Sequence, residues 1–280
     1  MDKPFLDLMP PPQPSMPALA GADGMVWSAR EGKFAAIRRD LPEEIAVAIM
    51  AGKRPAAVVI ASPADYEDLG WGFAITEGLG RAADIKGCTV TQVAGGMRVT
   101  LDLTGSPVKL RERTLPGRSS CGLCGVSNLE QAIRAVPRVA DGGGVAPDVL
   151  HAAIEALEAR QPLNAQTHAV HAAAHVTRDG RITEVREDIG RHNALDKLIG
   201  ALARAAIDPA DGAVLLTSRA SYEMVDKAAM AGVRILAAIS APSALALRKA
   251  QAAGMTLVGV ARHDSFVAFC GEERLGWSAQ

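Results

Sequence analysis

The sequence predicts an α/β protein in which a smaller strand-rich N-terminal part precedes a larger part that alternates strands and helices. Three observations support this fold class. After residue 167, short apolar runs alternate with amphipathic stretches of about a dozen residues, a pattern typical of βαβ crossovers and a mainly parallel sheet. Before residue 104, apolar runs flank turn signals such as Glu31-Gly32 and Gly95-Gly96, which indicate hairpins. Aromatic residues make up only 4%, so the core must depend on close helix–strand packing of small aliphatic side chains.

Composition restricts the class of protein further. With 280 residues, 49% apolar and 22% charged, the chain has the composition of a soluble globular protein with one large core or two modest ones. A formal net charge of −1 argues against nucleic acid as a partner, and no apolar run reaches the roughly 18 residues of a membrane span. Four cysteines without a scaffold-like spacing, and a proline-rich N-terminal stretch that does not resemble an export signal, favour the cytoplasm.

The N-terminal half is predicted to contain three hairpins and one helix. We expect residues 1–24 to form a disordered, proline-rich arm and residues 25–118 to form the strand-rich subdomain. The hairpins are expected over 26–38, 44–61 and 90–103, and an amphipathic helix over 65–79. Three glycines inside that helix either weaken it or allow another element to pack closely.

Residues 119–146 are predicted to be a connector and residues 147–280 the α/β domain. The connector holds a Cys-x-x-Cys loop, a short helix through about residue 136 and a glycine-rich linker at Asp141-Gly142-Gly143-Gly144. Within the domain, helices are expected over 147–159, 191–205, 221–231 and 243–253, and strands over 167–176, 181–185, 213–216, 233–239 and 255–260, the last of these being the final strand.

The Cys121-Gly122-Leu123-Cys124 segment is the strongest chemical signal in the chain. Arg118 lies just upstream, and Ser127 begins a capping box, so a cation and a helix N-terminus both favour the thiolate form. The alternatives are a structural zinc half-site or two unreactive cysteines. A zinc site needs four ligands and no second Cys-x-x-Cys exists, so we favour a reactive dithiol and expect no metal site.

Polar clusters follow the predicted strands of the α/β domain. Arg191 and His192 lie in the first turn of a predicted helix, where a cation is disfavoured unless an anion such as phosphate binds there. The internal alternative is that Asp188 caps the helix and pairs with Arg191 while His192 contacts Asp196. From the residues alone both interpretations remain open.

Further polar residues follow the next strands and are expected at the same sheet edge. They are Ser218, Arg219, Ser221, Ser240 and Arg262. Together they suggest a polyanion or nucleotide pocket, although neither a dinucleotide-binding nor a P-loop glycine motif occurs. His168, His171 and His175 are predicted on one apolar strand, where core histidines are a simpler explanation than a metal site.

Several of these motifs, taken together and in order over roughly residues 42–265, resemble the FdhD-type sulfurtransferases that formate dehydrogenases require for activity. The matching segments are Ser119–Gly125, Glu187–Lys197, Ser218–Met224, Ile239–Ser243, Gly72–Gly78 and Leu257–Arg262. One segment departs from the family pattern, because Thr167-His168-Ala169-Val170-His171 lacks the two glycines that usually precede the histidine. His171 still occupies the position of the family's histidine.

The resemblance implies a specific activity. Such proteins accept persulfide sulfur from a cysteine desulfurase and pass it to the molybdenum or tungsten bis-guanine-dinucleotide cofactor destined for apo-formate dehydrogenase. It implies a homodimer, a C-terminal cytidine-deaminase-like three-layer α/β/α domain, and no permanently bound cofactor. The zinc-deaminase signature is absent, so we expect neither zinc nor deamination.

The resemblance also assigns residues. Cys121 is expected to carry the persulfide and Cys124 to act as relay or resolving thiol, although physical arguments alone do not fix their order. The residues expected at the cofactor are Phe73, Thr76, Glu77, His171, Asp188, Arg191, His192, Asn193, Asp196, Lys197, Ser218, Arg219, Ser221, Ser240 and Arg262.

Two other functions remain open from the sequence. A dithiol–disulfide oxidoreductase also uses a Cys-x-x-Cys pair, although its motif is expected between an early strand and helix rather than on a glycine-bounded connector. A cofactor-binding chaperone without sulfur transfer would use the cysteines only for docking.

Overall fold

The computed structural model describes residues 18–104, 135–262 and 264–276, and it shows a mixed α/β fold. Cys121, Cys124 and nearly all of the predicted short helix lie outside the described residues. Within them, the strands form a two-stranded hairpin, a four-stranded sheet and a six-stranded sheet. No helix in this part of the chain is long and apolar enough to cross a membrane.

The strand-rich N-terminal half agrees with the predicted hairpins. Strands β1 (Leu19–Ser28) and β2 (Lys33–Pro42) pair along ten residues each, so β1 begins inside the range assigned to the disordered arm. The four-stranded sheet has the order β4-β3-β6-β5. Its strands are β3 (Ile45–Ala51), β4 (Arg54–Ala61), β5 (Ile85–Val93) and β6 (Gly96–Leu103).

Helix α1 (Tyr66–Thr76) covers one face of the four-stranded sheet. Its apolar side chains Leu69 and Phe73 pack on Val47, Val99 and other aliphatic residues that alternate along the strands. The alternation of buried and half-buried residues in β3 therefore reflects a sheet with one covered face.

The six-stranded sheet has the order β12-β11-β10-β9-β7-β8 and is mixed, so the prediction of a mainly parallel sheet is wrong. Only β9–β10 and β10–β11 pair in parallel, while β7 lies antiparallel to both β8 and β9, and β12 is antiparallel to β11. The strands are β7 (His171–Thr177), β8 (Ile182–Asp188), β9 (Gly212–Leu216), β10 (Ile235–Ala238), β11 (Thr256–Gly259) and β12 (Val267–Cys270).

Helices cover both faces of this sheet, which gives the expected three layers. Helices α4 (Arg191–Arg204), α5 (Tyr222–Met230) and α6 (Ala244–Ala253) pack on one face, and α2 (Pro147–Ala156) packs on the other. In β9, Val214 and Leu216 face the first layer, whereas Ala213 and Leu215 face the second. The near-continuous apolar run of this strand follows from burial on both faces.

Two local predictions are corrected by the structure. The expected strand from residue 167 begins only at His171, because Pro162 starts a short helix, α3 (Pro162–Thr167), and His168 ends it in the left-handed conformation. The expected final strand is followed by β12. Within the glycine-rich linker, Asp141, Gly142 and Gly143 are exposed, whereas Gly144 packs closely, since a Cβ there would lie 1.6 Å from the carbonyl oxygen of Arg274.

The two halves meet through α1 and α4, whose backbones approach closely at two glycines. A Cβ on Gly72 would lie 1.6 Å from the carbonyl oxygen of Asp196, and one on Gly200 would lie 1.9 Å from that of Asp68. The helical glycines therefore serve close packing, one of the two explanations left open by the sequence. This contact sets the C-terminal end of α1 against the first turns of α4.

Candidate functional site

The strand-end residues predicted from the sequence lie along one edge of the six-stranded sheet. His171, at the start of β7, pairs directly with Asp188, at the end of β8. Beyond β9, the N–H of Thr217 donates to the carbonyl of Ala172 at 3.0 Å, and beyond β10 the N–H of Ile239 donates to Leu216 at 2.9 Å. Because β7 runs antiparallel to β9, the start of β7 meets the carboxyl ends of its neighbours.

Several side chains along this edge remain accessible. Arg219 and Arg262 are exposed, while His171, Arg191 and Ser240 are half-buried. Ser221 is half-buried as a residue, but its hydroxyl oxygen is buried and has no hydrogen-bond partner among the described residues. The guanidinium of Arg262 donates to the carbonyls of Ile239 at 2.8 Å and Ala261 at 3.1 Å, so its charge is held across the end of β10. This edge therefore offers arginine charge beside hydroxyl and imidazole groups, which suits an anionic ligand.

A second group of predicted site residues is buried in an internal ion pair. Lys197 Nζ lies 2.7 Å from Asp188 Oδ2, and both side chains are fully buried. The other Asp188 oxygen accepts hydrogen bonds from the N–H of Gly190 at 2.8 Å and the amide of Asn193 at 3.0 Å. Because these polar atoms are already satisfied, Asp188, Asn193 and Lys197 fix the start of α4 rather than face a ligand.

The loop after β4 is joined to the same ion pair. The N–H of Ser62 donates to Asp188 Oδ2 at 3.0 Å, its carbonyl accepts from Lys197 Nζ at 3.1 Å, and its hydroxyl accepts from the N–H of Ile189 at 3.1 Å. The buried pair thus connects the four-stranded sheet to the strand-end edge of the six-stranded sheet.

The alternative predicted for the start of α4, in which Asp188 pairs with Arg191 and His192 contacts Asp196, is wrong about these partners. The N-cap of α4 is Gly190, which has no side-chain cap, and Asp188 pairs with Lys197 rather than Arg191. Asp196 pairs not with His192 but with Lys227 on α5.

Lys227 is the residue that sequence reasoning missed. Its ammonium lies 2.8 Å from Asp196 Oδ2, 3.0 Å from Glu77 Oε1 and 3.0 Å from the hydroxyl of Thr76. It also lies 5.4 Å from the centre of the Phe73 ring. Lys227 therefore joins α1, α4 and α5 in one buried cluster that includes four of the predicted cofactor-binding residues, Phe73, Thr76, Glu77 and Asp196.

The charge of Lys227 is retained in spite of its burial. Burial alone would lower the pKa of Lys227, but the adjacent Asp196 and Glu77 carboxylates outweigh it and raise the pKa above the usual value. A signal for this residue does exist in the sequence, since Asp226-Lys227 interrupts an otherwise apolar helix face between Val225 and Ala228. Charged residues at such positions are buried only when they are paired.

His192 lies beside this cluster, in the first turn of α4, and is buried with only 7% of its surface exposed. Neither ring nitrogen has a hydrogen-bond partner among the described residues. Burial, followed by the positive charges of Lys227 and Arg191, lowers the pKa of His192 to about 4. At neutral pH its imidazole is therefore neutral, and the positive charge of this edge comes from the arginines.

We expect His192 to make stability pH-dependent below neutrality. Its pKa is about 4 in the folded protein and about 6.5 when unfolded, so the unfolded chain binds more protons between these values. The stabilisation is complete above about pH 6.5 and is lost as the pH falls towards 4, by at most about 3 kcal/mol. Urea unfolding at several pH values should show a shallower decline in His192→Gln than in the wild type.

The comparison with His192→Gln isolates this residue, because burial also lowers the pKa of His171 and of His175 and contributes in the same direction. Parallel declines in the two proteins would contradict the assignment to His192.

The fold and this edge define a class: an α/β protein with a four-stranded and a six-stranded sheet, in which arginines line one edge of the larger sheet and buried ion pairs lie beneath that edge. The model of the FdhD/NarQ family matches residues 42–276, and the chain belongs to that family.

Named relatives agree over most of the chain. The sulfur carrier protein FdhD of Bordetella petrii is 44% identical over 260 residues, covering 91% of this chain and 94% of the relative. The protein of the same name from Cupriavidus necator is 44% identical over 250 residues, covering 88% and 87%. The crystal structure described as a formate dehydrogenase accessory protein from Desulfotalea psychrophila has a TM-score of 0.75 and 25% identity, covering 92% of this chain and all of that one.

Proposed function

We propose that this protein is a sulfur carrier required for formate dehydrogenase activity. The observation that carries the proposal is the family match over residues 42–276, together with relatives named sulfur carrier protein FdhD at 44% identity. The structural likeness to a formate dehydrogenase accessory protein supports the same role.

The sulfur is carried by Cys121 in this proposal. The thiolate of Cys121 attacks the terminal sulfur of a persulfide on a cysteine desulfurase, a new S–S bond forms on Cys121, and the desulfurase thiolate leaves. Cys124 then attacks the inner sulfur of the Cys121 persulfide and releases hydrosulfide to the acceptor, and a cellular dithiol reduces the Cys121–Cys124 disulfide that remains. In this sense the protein is a sulfurtransferase, and the two cysteines are its reacting groups.

The acceptor is the molybdenum or tungsten bis-guanine-dinucleotide cofactor, bound transiently at the strand-end edge. Arg191, Arg219 and Arg262 supply positive charge for its pyrophosphate groups, and His171, Ser221 and Ser240 supply polar contacts around them. Of the remaining predicted residues, Asp188, Asn193, Asp196 and Lys197 form the buried base that fixes this edge. Ser218 is buried next to Arg219, where its hydroxyl donates to the Arg219 carbonyl.

The proposal includes a setting for this reaction. The protein acts in the cytoplasm as a homodimer, between a cysteine desulfurase that supplies sulfur and an apo-formate dehydrogenase that receives the finished cofactor. A composition with few cysteines suits that reducing compartment.

The test is a sulfur-loading experiment on the full chain. Incubation with a cysteine desulfurase and cysteine should add sulfur, detected by intact mass and localised by peptide mapping to Cys121 or Cys124. Cys121→Ala should abolish or strongly reduce this addition, whereas Cys88→Ala, a half-buried cysteine whose burial raises its pKa, should not affect it.

Two results would favour the other functions. Insulin reduction without sulfur loading would favour an oxidoreductase, and active formate dehydrogenase produced with Cys121→Ala would favour a chaperone. For the acceptor site, GDP serves as the probe, and Arg219→Ala should weaken its binding about tenfold, as expected when a charged hydrogen bond to phosphate is lost.

A further inference from the structure

The β1–β2 hairpin is exposed on both faces and pairs with no other strand among the described residues. A two-stranded ribbon of this kind is only marginally stable in water, and three or more strands are usually needed. The hairpin is therefore a surface that a further strand would stabilise.

Among the residues that the structure describes, the exposed large apolar side chains are concentrated on this hairpin. Of eight large hydrophobic residues that are exposed in the described part of the chain, six lie on β1 or β2. Trp27 and Phe34 are 53% and 62% exposed, and their ring centres lie 5.0 Å apart. The other four are Met25, Val26, Ile37 and Leu41. A concentration of this kind marks an interaction surface.

The free edge of β1 lacks the charges that normally prevent pairing between strands. Asp23 is the one charged residue among its ten, and it is already paired with Arg38 of β2 at 3.1 Å. By contrast, β2 carries Lys33, Arg38, Arg39 and Asp40, and it also contacts helix α3. The pairing edge is therefore β1, and an equally uncharged strand matches it best.

We propose that β1 pairs antiparallel with β1 of a second copy of this chain about a two-fold axis, so that the two hairpins form one four-stranded sheet. The inference rests on the proposed function in one respect: the second copy is the other protomer of the homodimer proposed above. An isologous contact sets one residue opposite its own copy, and like charges must not face each other. Centring the contact on Ala22 or Gly24 satisfies this, because Asp23 then faces Gly21 or Met25 of the second copy.

In both registers, the two β1 strands pair along most of their length. The Ala22-centred register pairs residues 19–25, and the Gly24-centred register pairs residues 20–28, which corresponds to about 25–30 Å of strand. Met25 or Trp27 then lies beside the base of the second hairpin, so apolar side chains at the tip gain cover. A charged partner edge would find no free counter-charge on β1, because Asp23 is already paired with Arg38, whereas a second β1 meets it without unpaired charge.

The test measures the oligomeric state and the register in the full chain. By sedimentation equilibrium we expect a wild-type dimer, and at least a tenfold weaker one in Ala22→Lys/Gly24→Lys, because lysine on a strand edge opposes pairing. The control is Ala35→Lys, which adds one lysine to β2 on the face that carries Ala22 and so matches either single variant, Ala22→Lys or Gly24→Lys, in added charge. It should change the dimer constant less than twofold. Mild oxidation should cross-link Ala22→Cys or Gly24→Cys but not Lys33→Cys at the tip.

Each other outcome overturns the proposal. A monomeric wild type, a dimer unaffected by the two lysines, or equal weakening by Ala35→Lys would each contradict pairing through β1. If the wild type is monomeric and Ala22→Lys/Gly24→Lys abolishes its binding to apo-formate dehydrogenase, the hairpin binds that partner instead. Sulfur loading of the Ala22→Lys/Gly24→Lys variant distinguishes a failure of this proposal from a failure of the proposed function. If the protein is not a sulfur carrier, sulfur loading is absent from the dimeric and the monomeric protein alike.

Discussion

Replacing Gly72 by alanine is expected to lower the free energy of unfolding by about 3 kcal/mol or more. The added methyl group would lie 1.6 Å from the carbonyl oxygen of Asp196, and a backbone atom, unlike the end of a flexible side chain, cannot move aside. Helices α1 and α4 must therefore separate, and the Lys227 cluster between them must open. Urea unfolding followed by circular dichroism measures the loss.

Two further glycine-to-alanine variants control for the effect of adding a methyl group at any position. At Gly70 the new Cβ would lie 2.5 Å from a methyl group of Val99, which can adjust, so Gly70→Ala should cost less than Gly72→Ala. At Gly87 nothing lies within 4 Å of the new atom, and the change should stay within about 0.5 kcal/mol. Equal stability of the Gly72 and Gly87 variants would show that the helices do not approach as described.

Replacing Lys227 by methionine is expected to cost about 3–5 kcal/mol, because Asp196 and Glu77 would lose their shared counter-charge while buried. The loss should shrink as the pH is lowered, since the uncompensated carboxylates then take up protons in the folded state. Chemical unfolding at two pH values measures both effects.

The matched control for this substitution is Lys33→Met, which removes an exposed lysine 3.1 Å from Glu31 and should cost less than about 1 kcal/mol. Adding Asp196→Asn to Lys227→Met should recover part of the lost stability, because one of the two unpaired charges is removed. If Lys227→Met lowers the free energy of unfolding as little as Lys33→Met does, the buried Lys227 cluster does not stabilise the fold.

Local patterns in the sequence were sufficient for most elements of the fold. Alternating apolar residues and turn glycines identify β3 to β6, and strong amphipathic stretches identify α4, α5 and α6 within one or two residues. Such patterns report which residues face a core, but not which strand lies beside another. The antiparallel placement of β7 next to β9 depends on contacts distant in sequence, and for this reason the mainly parallel sheet was predicted wrongly.

For the candidate site too, local patterns predict where a residue lies but not which residues it contacts. Residues that follow strands could be assigned to one sheet edge because strand ends converge by geometry. Whether such a residue faces solvent or is buried in an ion pair depends on its partners, which come from other elements. Lys227 pairs with residues of α1 and α4 that are 151 and 31 positions away in sequence. A local window therefore shows a charge on an apolar helix face but not the residues that pair with it.

The Arg186–Asp68–Arg204 contacts add a last consequence to the joint between the two halves. Arg186 of β8 lies 2.8 Å from the nearly buried carboxylate of Asp68, and Arg204, at the far end of α4, bonds the same carboxylate. With Lys227 at the other end of α1, the helix is anchored at both ends and along its middle by the glycines. A rotation of one half against the other at this joint would break ion pairs at both ends of α1 together, so we expect the two halves to move as one body.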